Sequence, residues 1–237
     1  MAGFRPQFWP TVITAPALLV LLGLGAWQIQ RLYWKERLIA ERAAAVAAPA
    51  VPAPQSLAQA LHLDFHRVVA VGTFLHAKEI YLGASAGAGG IGYQVLTPLE
   101  EPDGAIVFVN RGYIPAELKN PAKRAAGQVS GTVRVVGLLR LPPNGRPNWF
   151  LPDNRPDLNY WFWVDLPAMA AADALDRVAP FYIDADAAPN PGGWPKGGVT
   201  RLELANDHLQ YAITWFSLAV ALIVVYLLYH RRRAGAE

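Results

Sequence analysis

Two uncharged apolar runs, one near each end, limit what this chain can fold into more than any other feature. The first is PTVITAPALLVLLGLGAWQI over residues 10–29, and the second is LQYAITWFSLAVALIVVYLLY over residues 209–229. A helix rises about 1.5 Å per residue, so about 20 residues cross the hydrocarbon core of a bilayer. Lipid offers no partner to backbone N–H and C=O groups, which makes a helix the expected conformation of each run. Pro16 marks the place for a kink in the first, a feature membrane helices tolerate. Trp9 and Trp27 bracket the first run, and Tyr211, Trp215, Tyr226 and Tyr229 lie towards the ends of the second, as in interfacial aromatic belts. A cleaved signal peptide is the rival reading of the first run. The run is longer than a usual signal core, and Gly25-Ala26-Trp27 is a poor cleavage site, so a retained anchor fits better.

Composition agrees. Of 237 residues, 53% are hydrophobic and 16% charged, below the usual quarter for a soluble domain. The net charge of +3 is supplied by Arg5, Arg231, Arg232 and Arg233 against Glu237, so residues 6–230 sum to zero. A broad basic face is therefore missing, and no nucleic-acid partner is expected. There is no cysteine, which removes disulfides, thiolate metal sites and Cys-x-x-Cys-His haem attachment.

The Arg231-Arg232-Arg233 block places the C-terminus in the cytoplasm by the positive-inside rule, and two spans place the N-terminus there too. Arg31, Lys35, Arg37 and Arg42, after the first span, argue for the opposite sense. Long loops translocate largely regardless of charge, so the C-terminal block decides. Nothing before Trp9 resembles an Arg- and Ser-rich transit peptide. The expected setting is a bacterial cytoplasmic (inner) membrane, with a cytoplasmic N-terminus over 1–9, spans over 10–29 and 206–229, and a basic cytoplasmic tail over 230–237. Residues 30–55 are expected as a helical extension and linker, and 56–205 as a β-rich periplasmic domain.

Within the middle region, 30–42 continues the first helix with Leu32, Leu38 and Ile39 as its apolar stripe. The Ala/Pro segment 43–55 reads as a partly extended linker. Strands are predicted at 66–75, 79–83, 92–99, 105–114, 132–141, 160–166 and 181–186. Gly87 to Gly90, Pro102-Asp103-Gly104 and Pro142-Pro143-Asn144-Gly145 supply turns. Residues 167–178 read as one short helix with Pro at its start. The fold class is then two transmembrane α-helices flanking an antiparallel β-barrel or sandwich-like domain with a short helix.

No Walker A or H-E-x-x-H motif occurs. Gly87, Gly89, Gly90 and Gly92 lie between strands with no helix following, which favours a hairpin turn over a nucleotide loop. His62, His66 and His76 are scattered. A metal pair of His62 and His66 would need a shared helix, and a strand begins between them. The aromatics of 159–165 suit a strand buried on both sides or a docking face. His208 stands out at the start of the second span, with Asn206 as candidate N-cap. The positive end of the helix dipole favours a neutral imidazole, a competent iron ligand. Ala212, Trp215 and Ala219 follow on the same face, where small residues would admit a flat macrocycle and Trp215 would pack against it. Histidine and aromatics are also common at membrane interfaces without any such role, and the residues alone leave both readings open.

A series of short blocks, in order along the chain, carries a resemblance. They are Leu24-Gly25-Ala26-Trp27-Gln28 with Arg31, Lys35 and Leu38-Ile39; Arg67-Val68 with Gly72 and Phe74; and Thr97-Pro98-Leu99. Next come Asn110-Arg111-Gly112-Tyr113-Ile114-Pro115; Asn159, Trp161, Asp165-Leu166 and Ala168-Met169-Ala170; and Asn206, His208-Leu209, Tyr211-Ala212 and Thr214-Trp215-Phe216. Together they resemble the Surfeit-locus cytochrome oxidase assembly factors, with Tyr113 where that family's Asn-Arg-Gly-Trp-x-Pro signature has tryptophan. The resemblance implies a non-enzymatic factor that helps build haem–copper terminal oxidases, binds haem a and passes it to oxidase subunit I. His208 maps onto the family's candidate haem ligand. Trp215 would then be a stacking wall and Tyr211 a polar neighbour. Arg31, Lys35 and Arg201 are candidates for the haem propionates, or else snorkelling cations. The implied partners are oxidase subunit I, the haem a biosynthesis enzymes and membrane lipid. Three other readings stay open: a protein-only scaffold that docks oxidase subunits, an enzyme acting on haem, and a general membrane adaptor.

Overall fold

A computed structural model describes residues 6–85 and 91–234, so Arg5, the Gly87–Gly90 turn and Glu237 lie outside the described residues. The chain divides into two compact units, Met1–Glu41 with Glu203–Glu237, and Arg42–Leu202.

The first unit rests on two long helices, α1 (Phe8–Ala47) and α4 (His208–Ala234). Both are long and apolar enough to cross a membrane. α1 is continuous through Pro16 and runs to Ala47, five residues into the segment expected as linker. Alanine is the best helix former, and Ala43 to Ala45 carry the helix onward until Pro49. On α4 the covered side chains are His208, Ala212, Trp215, Ala219, Leu222, Tyr226 and His230, in steps of three and four. Covered positions on α1 include Thr11, Thr14, Leu18, Leu21, Gly25 and Gln28, with the same steps. Such spacing makes one continuous stripe per helix. The stripes meet antiparallel: Gln28 reaches His208, a Cβ on Gly25 would meet the Phe216 ring, and Thr11 Oγ1 lies 2.6 Å from Tyr226 Oη. The remaining faces leave Ile13, Leu19, Val220 and Val225 exposed, as suits side chains whose solvent is lipid.

The second unit is a β domain with seven strands among the described residues: β1 (Val51–Pro52), β2 (Arg67–Phe74), β3 (Ile80–Ser85), β4 (Ile91–Glu100), β5 (Ile106–Pro115), β6 (Thr132–Arg140) and β7 (Val178–Ala185). Their order is β1-β2-β6-β7-β5-β4-β3, and β4 also pairs with β2, at Thr73–Glu100 and Phe74–Leu99. That pairing closes β2-β6-β7-β5-β4 into a barrel. Gly72 permits the closure, because a Cβ there would lie 2.3 Å from the Glu100 carbonyl oxygen. Pairing is antiparallel except at β1–β2 and β5–β7, which are parallel. Val68, Leu99, Val107, Val109, Leu139 and Ile183 form one core; Ile80, Leu96, Phe108, Trp161, Met169 and Tyr182 form a second. β5 serves both, which explains its unbroken apolar run Ile106-Val107-Phe108-Val109.

Two predicted elements differ. Residues 160–166 are not a strand. Tyr160 and Trp161 each make a single bridge, to Arg155 and Leu82, and Asn154 Oδ1 accepts from the N–H groups of Phe162 and Trp163. The segment buries Trp161 and Val164 in the second core without ladder pairing, and a short apolar run cannot by its period distinguish these outcomes. The predicted helix 167–178 is α3 (Leu166–Ala172), begun by Asp165, whose Oδ1 accepts from Ala168 N–H at 3.1 Å. It stops because Ala174 turns left-handed (φ 48°) and Leu175 N–H returns to Ala170 O at 2.9 Å, a Schellman-type end built without glycine. The four-residue α2 (Leu57–Ala60) and β1 fall in the region read as linker and domain start. The strands on either side of the Gly87–Gly90 stretch, β3 and β4, pair antiparallel, as a hairpin requires.

Candidate functional site

His208 opens α4 and is half-buried. The first helical hydrogen bond, from Tyr211 N–H, goes to Asp207 O at 3.2 Å, which makes Asp207 the residue at the cap position. Asn206, the expected cap, has a buried Oδ1 with no hydrogen-bond partner among the described residues. The ring of His208 is held by a residue 180 positions away: Nδ1 lies 2.7 Å from Gln28 Oε1. An amide oxygen only accepts, so Nδ1 carries a proton, and in the neutral ring the lone pair is then on Nε2. No protein group among the described residues bonds to Nε2. The arrangement pins one ring nitrogen and leaves the other without a protein partner among the described residues.

Sequence reasoning misses Gln28, although it falls in the block Leu24–Gln28. Its only signal there is polarity at the end of an apolar run, and it is 8% exposed in the structure. Trp215 is half-buried on the same face of α4 as His208, and Tyr211 is exposed three residues on. Ala212 and Ala219 are 1% and 2% exposed. Their surface is already covered, so this small-residue stripe is the seam of the helix pair and not an open slot for a macrocycle. Arg31 lays its guanidinium over Trp34 at 4.2 Å, Lys35 is half-buried, and Arg201 is exposed in the β unit.

The remaining histidines have structural settings. His62 and His66 do not share a helix: α2 ends at Ala60, and His66 precedes β2 with Nδ1 3.3 Å from Asp64 O. His76 Nε2 is 2.8 Å from Val129 O. Among the described residues no group of three or more His, Cys, Asp or Glu is placed to hold a metal ion.

Within the β unit, Glu79 is buried and accepts from Arg124 on both oxygens and from Gln128 at 2.9 Å and Tyr81 Oη at 3.1 Å. Burial alone would raise its pKa. The hydrogen bond and charge of Arg124, with Gln128 and Tyr81, more than reverse this and hold it below the ordinary value. Burial, then the Glu79 charge, pushes Tyr81 up to about 12, and burial lowers Arg111 to about 10, still charged at neutral pH. The Asn110–Pro115 block serves this architecture. Asn110 Nδ2 donates to Gln94 at 2.8 Å and Asp184 at 2.7 Å, and Arg111 donates to Gly127 O and lies over Phe74. Gly112 (φ 112°) lets the Lys196 carbonyl approach where a Cβ would sit 1.8 Å away, and Tyr113 pairs with Lys196 and meets the Trp194 ring. Tyr113 in place of tryptophan thus still supplies an aromatic at a contact inside the domain.

The SURF1 family profile matches residues 15–220. A SURF1-like protein of Monosiga brevicollis is 39% identical over 229 residues, covering 91% of this chain and 85% of that protein. Surfeit locus protein 1 of Mus musculus is 39% identical over 214 residues, covering 84% and 68%. Surfeit locus protein 1 of Homo sapiens is 38% identical over 215 residues, covering 84% and 70%.

Proposed function

The chain belongs to the SURF1 family, and we propose that it is a non-catalytic oxidase assembly factor that binds haem a and hands it to subunit I of a haem–copper oxidase. Haem a is cargo in this reading. The observation that carries it is the 2.7 Å hydrogen bond between His208 Nδ1 and Gln28 Oε1, which leaves Nε2 as the ring nitrogen open to a ligand at the mouth of a membrane helix. Histidine is a common protein ligand of haem iron, and a single one suffices. His208 would hold the iron through Nε2, Gln28 orients the ring, and Trp215 offers an aromatic wall. Because Ala212 and Ala219 are covered, the macrocycle must lie at the edge of the helix seam. Exposed apolar positions such as Leu209 and Ile213 then border its farnesyl tail. Arg31 and Lys35 follow the first span and supply charge for propionates; Tyr211 supplies a hydroxyl.

The accompanying topology has both termini in the cytoplasm of a bacterium and the β domain in the periplasm. The arginine block 231–233 supports that sense. Besides subunit I, the haem a biosynthesis enzymes are partners in the reading.

Haem titration of the full-length protein in detergent tests the proposal: a Soret change on binding is expected. A flat titration would leave the protein-only scaffold, in which the β domain docks oxidase subunits. Adjacent exposed rings, Trp149 at 86% and Phe150 at 70%, give that reading a contact surface. A turnover assay with haem o and haem a separates both from an enzyme.

A further inference from the structure

We infer that Gln28 is a positioning residue that sets how firmly His208 holds its cargo. This rests on the haem-carrying reading above. The helix pair contains a second histidine, and the contrast between the two is informative. His230, 2% exposed, uses both ring nitrogens inside the protein: Nε2 accepts from Gln7 N–H at 3.1 Å, and Nδ1 donates to Tyr226 O at 2.8 Å. Nε2 ties α4 to the residue just before α1 and Nδ1 is spent within α4, so neither nitrogen faces an open site. His208 uses only Nδ1. One of the two is a clamp, and the other is a clamp on one side with a donor on the opposite side.

The nature of the acceptor matters as much as its presence. A ligating histidine has its basicity tuned by whatever receives its other N–H. A carboxylate in that place would draw the proton and give the ring imidazolate character, strengthening the bond to iron. Gln28 offers a neutral amide oxygen instead. The ring is therefore fixed in tautomer and direction while remaining a ligand of moderate strength. Such a ligand suits a haem that must leave again. Gln28 is also buried in an apolar segment, where an amide without a partner is costly, so its hydrogen bond to His208 fixes both side chains at once. Were the amide turned the other way, its NH2 would donate to Nδ1, the proton would move to Nε2, and iron ligation would be blocked.

The test uses full-length protein co-produced with the haem a pathway and purified in detergent, as wild type, Gln28→Met, Gln28→Glu and His208→Ala. Gln28→Met keeps the length and removes the amide oxygen. It is expected to retain haem a about tenfold more weakly, the low end of effects seen when the partner of a ligating histidine is removed. Gln28→Glu is expected to retain it more tightly. The Fe(III)/Fe(II) midpoint potential should rise in Gln28→Met and fall in Gln28→Glu. A tenfold change in the ratio of ferric to ferrous affinity corresponds to about 59 mV for this one-electron couple. The iron–histidine stretching band should move in opposite directions in the two variants. Opposed shifts are not what loss of a helix clamp produces. Wild-type potential and band in both variants would overturn the inference. Should Gln28→Met fail to fold, an unchanged potential in Gln28→Glu overturns it alone. The His208→Ala arm separates the two claims: full haem content there overturns the ligand reading itself, whereas haem loss there with both Gln28 variants unmoved overturns only the role of Gln28.

Discussion

At Glu79 one buried carboxylate answers for two guanidinium groups, Arg124 in direct contact and Arg111 at 3.7 Å. Removing its charge leaves both cations in the domain interior without a counter-charge. Glu79→Gln is expected to destabilise the β domain by about 3–5 kcal/mol, the usual cost of breaking a buried pair, read from chemical denaturation of the full chain. The pH dependence has the same origin. The pKa of Glu79 is lowered on folding, so the folded state binds this proton less readily than the unfolded chain. Its contribution is present above the unfolded carboxyl pKa and is lost as pH falls through the folded one. Wild-type stability should therefore decline in acid below the ordinary glutamate range, and Glu79→Gln should show a shallower decline. Gly112 makes the second prediction at this scale. Its φ of 112° and the 1.8 Å gap to Lys196 O leave no room for a methyl group, so Gly112→Ala should cost on the order of 3 kcal/mol, seen as a lowered melting temperature. His208 could be picked out from the sequence because an ionisable ring stands at the start of an apolar run, with small and aromatic residues following on its helical face. Gln28 could not, because its partner stands 180 residues away and only the pairing of α1 with α4 brings them together.

At the scale of elements, α3 ends where it does through backbone geometry. Ala174 occupies the left-handed region that helix ends usually assign to glycine. An L-residue there costs roughly 1–2 kcal/mol, partly offset by the lower entropy of alanine in the unfolded chain. Ala174→Gly should accordingly stabilise the domain by about 0.5–1 kcal/mol, a rise in melting temperature with no change in haem binding. The early stop was hidden in the sequence because 167-PAMAAADALDRV-178 has good helix formers on both sides of the break. The strand predicted at 160–166 failed for a different reason. Trp161 is buried in the second core and Tyr160, Phe162 and Trp163 are half-buried, but burial does not require a ladder when Asn154 takes the backbone N–H groups. The long strands were legible because alternation and β-branched residues coincide with turn residues at their ends, as in β2 and β6. The two long helices, α1 and α4, were legible from length and apolarity alone.

At the scale of the molecule, the two spans and the barrel-like domain were both readable from the sequence. The parallel β5–β7 pair and the β2–β4 closure were not, since strand order leaves no local trace. The Asn110–Pro115 block, one of the blocks that carry the family resemblance, is bound into the interior of the domain through Gln94, Asp184, Gly127 and Lys196. The proposed chemistry lies instead in the helical unit, at His208 and Gln28. Substitutions in the Asn110–Pro115 block should therefore lower the amount of folded protein without altering the spectrum of any haem it carries, checked by comparing yield with absorption per folded molecule. The most direct measurement for the central claim is the haem a content of purified protein, wild type against His208→Ala, at equal amounts of folded chain. The account predicts that the wild type purifies coloured and that His208→Ala loses most of the pigment. Equal haem a in the two would contradict it.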